Sequence, residues 1–162
     1  MIFVTVGTQL PFDRLISAVD EWAGLRQISG VIAQIGPTSL APKHVTVKPF
    51  VAAEEFQKFV SEASLIVAHA GMGSIITAME LGKPIVVMPR RASLGEHRNE
   101  HQLATAAHLK SRGIHVAEDR ESLWSMLDNA GTLSPPHPIS DTASPQLIAA
   151  IQNFILGKPT SV

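Results

Sequence analysis

The sequence predicts one α/β domain, a single doubly wound, Rossmann-like parallel sheet with helices on both faces. Short runs rich in Val and Ile alternate with longer segments of helical period, the pattern of β-α units around a sheet buried on both sides. Glycine-bearing loops follow several of these runs, where strands give way to helices. The 162 residues suffice for one core, since a chain of this size buries roughly 70% of its extended surface on folding.

In chain order, strands are predicted over residues 2–6, 31–35, 45–47, 65–68, 85–88 and 114–117, with helices over 12–22, 54–62, 74–81, 99–111 and 120–127. The opening Met1-Ile-Phe-Val-Thr-Val-Gly-Thr8 is apolar but has no basic region before it and no small-residue cleavage site after it, so it reads as a first strand rather than a signal peptide. Asp119 suits the cap of the helix that follows it. Gly82 and Gly113 fall just past helix ends, where left-handed backbone is needed. These elements fill a domain over residues 1–130. Residues 131–145 are a Pro-rich, semi-rigid connector, and 146–157 resume a helical pattern with Leu147, Ile148, Ile151, Phe154 and Ile155 on one broad stripe. That stripe either packs back on its own domain or docks on a partner chain. The longest apolar runs, 65–68 and 85–88, fall far short of the ~18 residues that span a bilayer.

Composition removes several function classes. No cysteine means no disulfide framework, Cys-type zinc site, iron–sulfur cluster or thiol nucleophile. Thirteen basic against fourteen acidic residues argue against nucleic acid as the main partner. Seven histidines leave room for a local cationic site below about pH 6.5.

Open parallel sheets bind ligands beyond the carboxyl ends of their strands, and three segments end there. In Val67-Ala-His69-Ala-Gly71-Met72-Gly73-Ser74 a strand meets a glycine loop that opens a helix. Backbone amides, a capping Ser74 and a helix N-terminus would suit a diphosphate; the plainer reading is that Gly71 and Gly73 only permit a tight turn. A dinucleotide fingerprint fits poorly, because the third glycine is replaced by Ile76 and the next strand runs into Pro89-Arg90-Arg91 instead of an acid. The second segment, residues 89–102, is dense in polar side chains, and His97-Arg98-Asn99-Glu100-His101 matches the inverted zincin pattern H-x-x-E-H. A zinc hydrolase would need that helix formed from His97 onward and a distant carboxylate ligand, and the chain offers poor support for either. In the third, Gly7 and Thr8 of Val6-Gly-Thr-Gln-Leu-Pro-Phe-Asp13 either present donors to a phosphate or simply make the turn into the first helix.

In this order and spacing the motifs resemble the donor-binding half of the family 28, GT-B type glycosyltransferases, over residue 1 to about 127. They are most similar to the soluble subunits of two-component UDP-sugar transferases, namely the bacterial PssE-type exopolysaccharide proteins and the eukaryotic UDP-N-acetylglucosamine transferase of the dolichol pathway. The residues that carry the resemblance are Val4-Thr-Val-Gly-Thr8 with Phe12, Asp13, Leu15 and Ile16; His69-Ala-Gly-Met-Gly-Ser74; Leu81-Gly-Lys-Pro84; Met88-Pro-Arg-Arg91; Gly95-Glu-His97; and His101-Gln102. The resemblance implies an inverting hexosyl transfer from a UDP-sugar to a lipid-linked acceptor in polysaccharide synthesis, without a required metal; no acidic D-x-D pair is present. It also implies that the backbone at Phe50 and Val51 holds uracil, that Gly7, Thr8, Gly71, Met72, Gly73 and Ser74 receive the donor, and that Gln102, Asn99 and His101 reach its sugar or phosphates. Arg90 and Arg91 read either as phosphate neighbours or as solvated surface residues. Many relatives carry a ribose-binding glutamate where this chain has Thr77, so that Thr77 or Glu80 would have to substitute.

His69 and His97 are the candidate catalytic bases from this side of the cleft. His69 serves equally well as an anchor of its loop, and the base could belong to a partner. That partner is expected to be a membrane-associated acceptor-binding subunit, held in part through the C-terminal segment, with this chain cytoplasmic and recruited to the inner face of the membrane. At 162 residues the chain is expected to supply one side of a cleft. In isolation a homodimer is compatible with an uncovered apolar face. A non-catalytic nucleotide-sugar-binding regulatory module is the alternative from a different class.

Overall fold

The computed structural model describes residues 1–98, 101–139 and 142–156, without the side chains at 101, 103–105 and 107. Six strands, β1 (Ile2–Thr5), β2 (Val31–Gln34), β3 (Thr46–Lys48), β4 (Leu65–His69), β5 (Ile85–Met88) and β6 (His115–Val116), form one parallel sheet in the order β3-β2-β1-β4-β5-β6. The helices are α1 (Asp13–Arg26), α2 (Ala53–Glu62), α3 (Met72–Glu80), α4 (His101–Lys110), α5 (Arg120–Asp128) and α6 (Pro145–Ile155). The predicted doubly wound sheet is therefore present, and strand order reverses between β1 and β4.

Period-two alternation divides the sheet residues between two cores. Val4, Val67, Val86 and Met88 pack with α1 and α5, while Phe3, Ile66, Ile85 and Val87 pack with α2, α3 and α4. Both faces are covered, which is why the strands read as continuous apolar runs. On the first face Trp22 Nε1 donates to Asp128 Oδ1 at 2.8 Å, and Trp124 Nε1 donates to the Ala18 carbonyl at 2.8 Å. Trp22 thus buries its ring and Trp124 part of its own, and each still satisfies its N–H.

Two helix boundaries differ from those the sequence predicts. The first helix was expected to stop at 22 but runs to Arg26, and Gln27 closes it in left-handed backbone at φ 53°. Within this helix a Cβ at Gly24 would lie 2.5 Å from the His44 ring, so the missing side chain makes room for the imidazole. The third helix starts at Met72, two residues early, which takes Gly73 and Ser74 into its first turn. Ser74 therefore does not cap this helix. Gly71 holds the cap position, and no side chain bonds the first amides. Gly82 and Gly113 do adopt positive φ, at 58° and 78°. Asn99, at the start of a predicted helix, lies outside the described residues.

The apolar stripe of α6 is left largely uncovered by the described residues. None of its residues is buried, and Leu147, Ile148, Ile151, Phe154 and Ile155 are all exposed. Among the described residues no helix is long and apolar enough to cross a membrane.

The helix α5 has the best-defined start. Asp119 accepts from the Ser122 N–H at 2.8 Å while the Asp119 N–H bonds the Ser122 hydroxyl at 3.1 Å, a reciprocal capping box. Asp119→Ala is expected to cost ~1 kcal/mol of unfolding free energy in urea titration without loss of fold.

Candidate functional site

A cavity of about 640 Å³ opens at the carboxyl ends of β1, β2 and β4, beside the switch point where such folds bind ligands. Four segments build it. Residues 6–10 come from the turn after β1, Phe50 and Val51 from the segment after β3, His69 and 71–74 from the end of β4 and the turn into α3, and Arg90 with His97 from the segment after β5.

The β4 loop shows two distinct uses of glycine. A Cβ at position 71 would lie 2.1 Å from His69 Nε2, and one at position 7 would lie 2.7 Å from His69 Cε1. Gly7 and Gly71 are thus required by the imidazole packed against them, and Gly7 also adopts φ 76°. At Gly73 a Cβ would meet nothing within 4 Å, and φ is not positive. The protein's own packing leaves position 73 unconstrained, in a turn that lines the cavity.

All five described helices of the sheet domain start at this edge; the first turns of α1, α2 and α3 differ in charge, and α4, like α3, carries no acid there. The helix α1 carries Asp13 there and α2 carries Glu54 and Glu55, whereas α3 has no acid in its first turn and no side-chain cap. The amides of Met72, Gly73 and Ser74 and the positive end of the helix dipole are left for an anion at α3 alone of these three. Ser74 is buried against this turn. The Thr77 hydroxyl donates to the Gly73 carbonyl at 3.0 Å, one turn back.

His69 is kept uncharged. Burial above all, and then the nearby cation Arg90, bring its pKa down to about 4, with the backbone of Thr5 opposing this only in part. Its Nδ1 is buried with no hydrogen-bond partner among the described residues.

The candidate residues Gly7, Thr8, Phe50, Val51, His69, Gly71, Met72, Gly73, Ser74, Thr77, Arg90, His97 and Gln102 all line this one cavity. Glu80 does not. Asn99 and the His101 side chain lie outside the described residues, as does Glu100 of the H-x-x-E-H pattern. Among the described residues no group of three or more His, Asp or Glu could hold a metal ion. Gln102 Oε1 accepts from the Arg90 N–H at 3.0 Å, so its NH2 is the group that could donate to a ligand.

Arg90 is neither of the alternatives expected of it. It is only 2% exposed, and its guanidinium is spent on backbone carbonyls, which leaves no free fork for a phosphate. Arg91 reaches out to the Glu118 carbonyl at 2.7 Å.

Sequence reasoning missed the polar support beneath the cavity. Thr5 and Gln34 are fully enclosed at the ends of β1 and β2, and the Thr5 hydroxyl donates to Gln34 Oε1 at 2.8 Å and accepts from the Gly7 N–H at 3.1 Å. The available signal was one polar residue closing each of two otherwise apolar strands. Phe56 and Gln57 of α2 also line the cavity.

A histidine neutral in the folded state and basic in the unfolded one makes stability depend on pH. Below pH 6.5 the unfolded chain takes up the proton first, so stability falls as pH drops from 6.5 to about 4. The full loss amounts to roughly 3 kcal/mol. His69→Gln is expected to flatten that part of the stability profile, and a wild-type His69 NMR titration midpoint near 6.5 would contradict the assignment.

Comparison with known proteins gives the family of the chain. The family model of the glycosyltransferase family 28 C-terminal domain matches residues 1–135. The human UDP-N-acetylglucosamine transferase subunit ALG13 is 32% identical over 122 residues, 69% of this chain and 10% of that protein. The Yarrowia lipolytica protein of the same name is 26% identical over 137 residues, 76% of this chain and 67% of its own length. The chain thus spans about a tenth of the human relative's length. The solution structure of ALG13 superposes with a TM-score of 0.58 at 20% identity, covering 86% of this chain and 89% of that one, a likeness of fold. With the family match running from the first strand through the last helix of the sheet domain, the chain belongs to the glycosyltransferase family 28 C-terminal domains.

Proposed function

We propose that this chain is the donor-binding subunit of an inverting, UDP-sugar-dependent hexosyltransferase that acts on a lipid-linked acceptor in polysaccharide synthesis together with a membrane-associated acceptor-binding subunit. The observation that carries the reading is the N-terminus of α3, uncapped, free of acids and opening on a cavity where Gly73 has no packing reason to be glycine. The relatives are named as UDP-N-acetylglucosamine transferase subunits, which supports both the donor class and the partner.

In this reading the donor diphosphate lies on the amides of Met72, Gly73 and Ser74, with the Ser74 hydroxyl and the Gln102 NH2 as further donors. These groups face the charge that develops on the leaving UDP when the sugar–phosphate bond breaks. Gly73 lets the phosphate approach the backbone. The backbone at Phe50 and Val51 takes the uracil, and Thr77, which lines the cavity where Glu80 does not, takes the ribose. No metal is assigned to the step.

The proton of the acceptor hydroxyl needs a base. A histidine with a pKa of about 4 is a weak one at neutral pH, so we assign His69 to support of the loop. His97 is then the candidate base on this chain, and the partner subunit is the other source.

Calorimetry with UDP and UDP-sugars tests the donor site. Gly73→Val and Ser74→Ala are each expected to weaken UDP binding about tenfold, equivalent to ~1.4 kcal/mol, with little change in thermal stability for Ser74→Ala. Absence of UDP binding even with the partner present would rule the reading out. Binding without donor turnover on co-expression with an acceptor subunit would favour a regulatory nucleotide-sugar module instead.

The apolar face of α6 is the proposed contact with that subunit, at Leu147, Ile151 and Phe154. Removing the residues after Pro145 is expected to abolish co-purification with the partner while the sheet domain stays folded. Retained assembly would place the contact elsewhere.

A further inference from the structure

The loop between β1 and α1 brings Gly7, Thr8, Gln9 and Leu10 to the cavity, yet it has no secondary structure of its own. Its backbone carbonyls must therefore find donors elsewhere. Among the described residues no backbone N–H donates to the carbonyls of Val6, Leu10 or Pro11. Arg90 serves all three. Its Nη2 donates to Val6 at 2.9 Å and to Leu10 at 2.7 Å, and its Nη1 donates to Pro11 and, at 3.3 Å, to the carbonyl of Glu96. The backbone N–H of the same residue donates to Gln102 Oε1 in α4.

The guanidinium is itself held. Its Cζ lies 4.6 Å from the centre of the Phe12 ring, on which Arg14 also sits at 5.2 Å. Arg14 bonds Glu96 through two N–H groups, at 2.7 and 2.9 Å, and Glu96 also accepts from the Arg91 N–H at 2.9 Å. The buried cation thus has a carboxylate close by whose position is fixed by other contacts. A lysine could not replace this arrangement: its ammonium is a compact point charge, whereas the planar fork reaches carbonyls on two sides at once.

We propose that Arg90 is a positioning residue that ties the β1–α1 loop, the segment after β5 and Gln102 of α4 into one preformed cavity wall. Holding ligand-bearing segments in place before binding avoids the entropic cost of ordering them afterwards. The clamp stands on geometry alone; the identity of the ligand it serves rests on the donor-site reading above. The same cation bears on His69 and helps to keep that imidazole neutral.

The test compares Arg90→Lys and Arg90→Met in the full chain. In folded Arg90→Lys, amide hydrogen exchange at residues 7–10 should accelerate about tenfold or more while β1 and β4 stay protected, and UDP affinity should fall about tenfold. The His69 pKa should stay low in Arg90→Lys, which keeps a cation, and rise in Arg90→Met, which does not; a purely packing role for Arg90 would not separate the two. Unchanged exchange at residues 7–10 in folded Arg90→Lys would overturn the proposal. Failure of the wild-type chain to bind UDP would count against the donor-site reading and not the clamp, which the exchange data decide. Should neither variant fold, the wild-type Arg90 guanidinium decides, since slowly exchanging, resolved Nη protons support the clamp and rapidly averaged ones overturn it.

Discussion

A parallel sheet covered on both faces leaves its central strands nowhere to put a polar side chain except at their ends. In β1 and β4 this constraint is strict, because Phe3, Val4, Ile66 and Val67 are wholly enclosed between two cores. Chemistry is displaced to the carboxyl edge, where the loops after β1, β4 and β5 converge. The polar groups buried beneath the cavity there are cut off from water, so each calls for a protein partner. Thr5 finds Gln34 and the Gly7 amide, and Arg90 finds the carbonyls of the neighbouring loop. His69 Nδ1 finds none, and the imidazole stays neutral as a result of that burial.

The elements were legible because their signals are local or periodic. Continuous apolar runs gave six strands, and the parallel topology followed from their alternation with helical segments. The Asp119 cap and the positive φ of Gly82 and Gly113 likewise follow from residues a few positions apart. Glycine function was not legible in the same way. Gly24, Gly71 and Gly73 look alike in one dimension, yet the first two make room for imidazoles while the third meets nothing. The neighbour of Gly24 is His44, twenty residues on, and no spacing rule reports it.

Arg90 and Arg91 show the same limit with a clearer physical rule behind it. As adjacent residues they read as a basic pair, but a strand sends consecutive side chains to opposite faces. Val86 and Met88 belong to the core beneath α1, and continuing that alternation carries position 90 toward Phe12 and the β1–α1 loop. Arg91 falls on the other side and reaches the Glu118 carbonyl. Strand parity therefore contained the direction of Arg90; what it lacked was the presence of unpaired carbonyls there, which only the folded loop creates.

The features that suit this edge to an anion also weaken it as a source of base. The Arg90 charge, though its fork is spent on carbonyls, favours an anion nearby, and the same charge, second to burial, helps push His69 down to about 4. A group that must accept a proton at neutral pH is best placed where it is better solvated or near a negative charge. One loop cannot meet both demands with the same imidazole. In the proposed reaction the two tasks are therefore separated in space: leaving-group stabilisation stays at the N-terminus of α3, and proton acceptance falls to a residue outside the β4 loop, His97 or a group of the partner. The apolar helix α6, begun by the Ser144 cap and Pro145 and with none of its residues buried, is the face proposed for contact with such a partner.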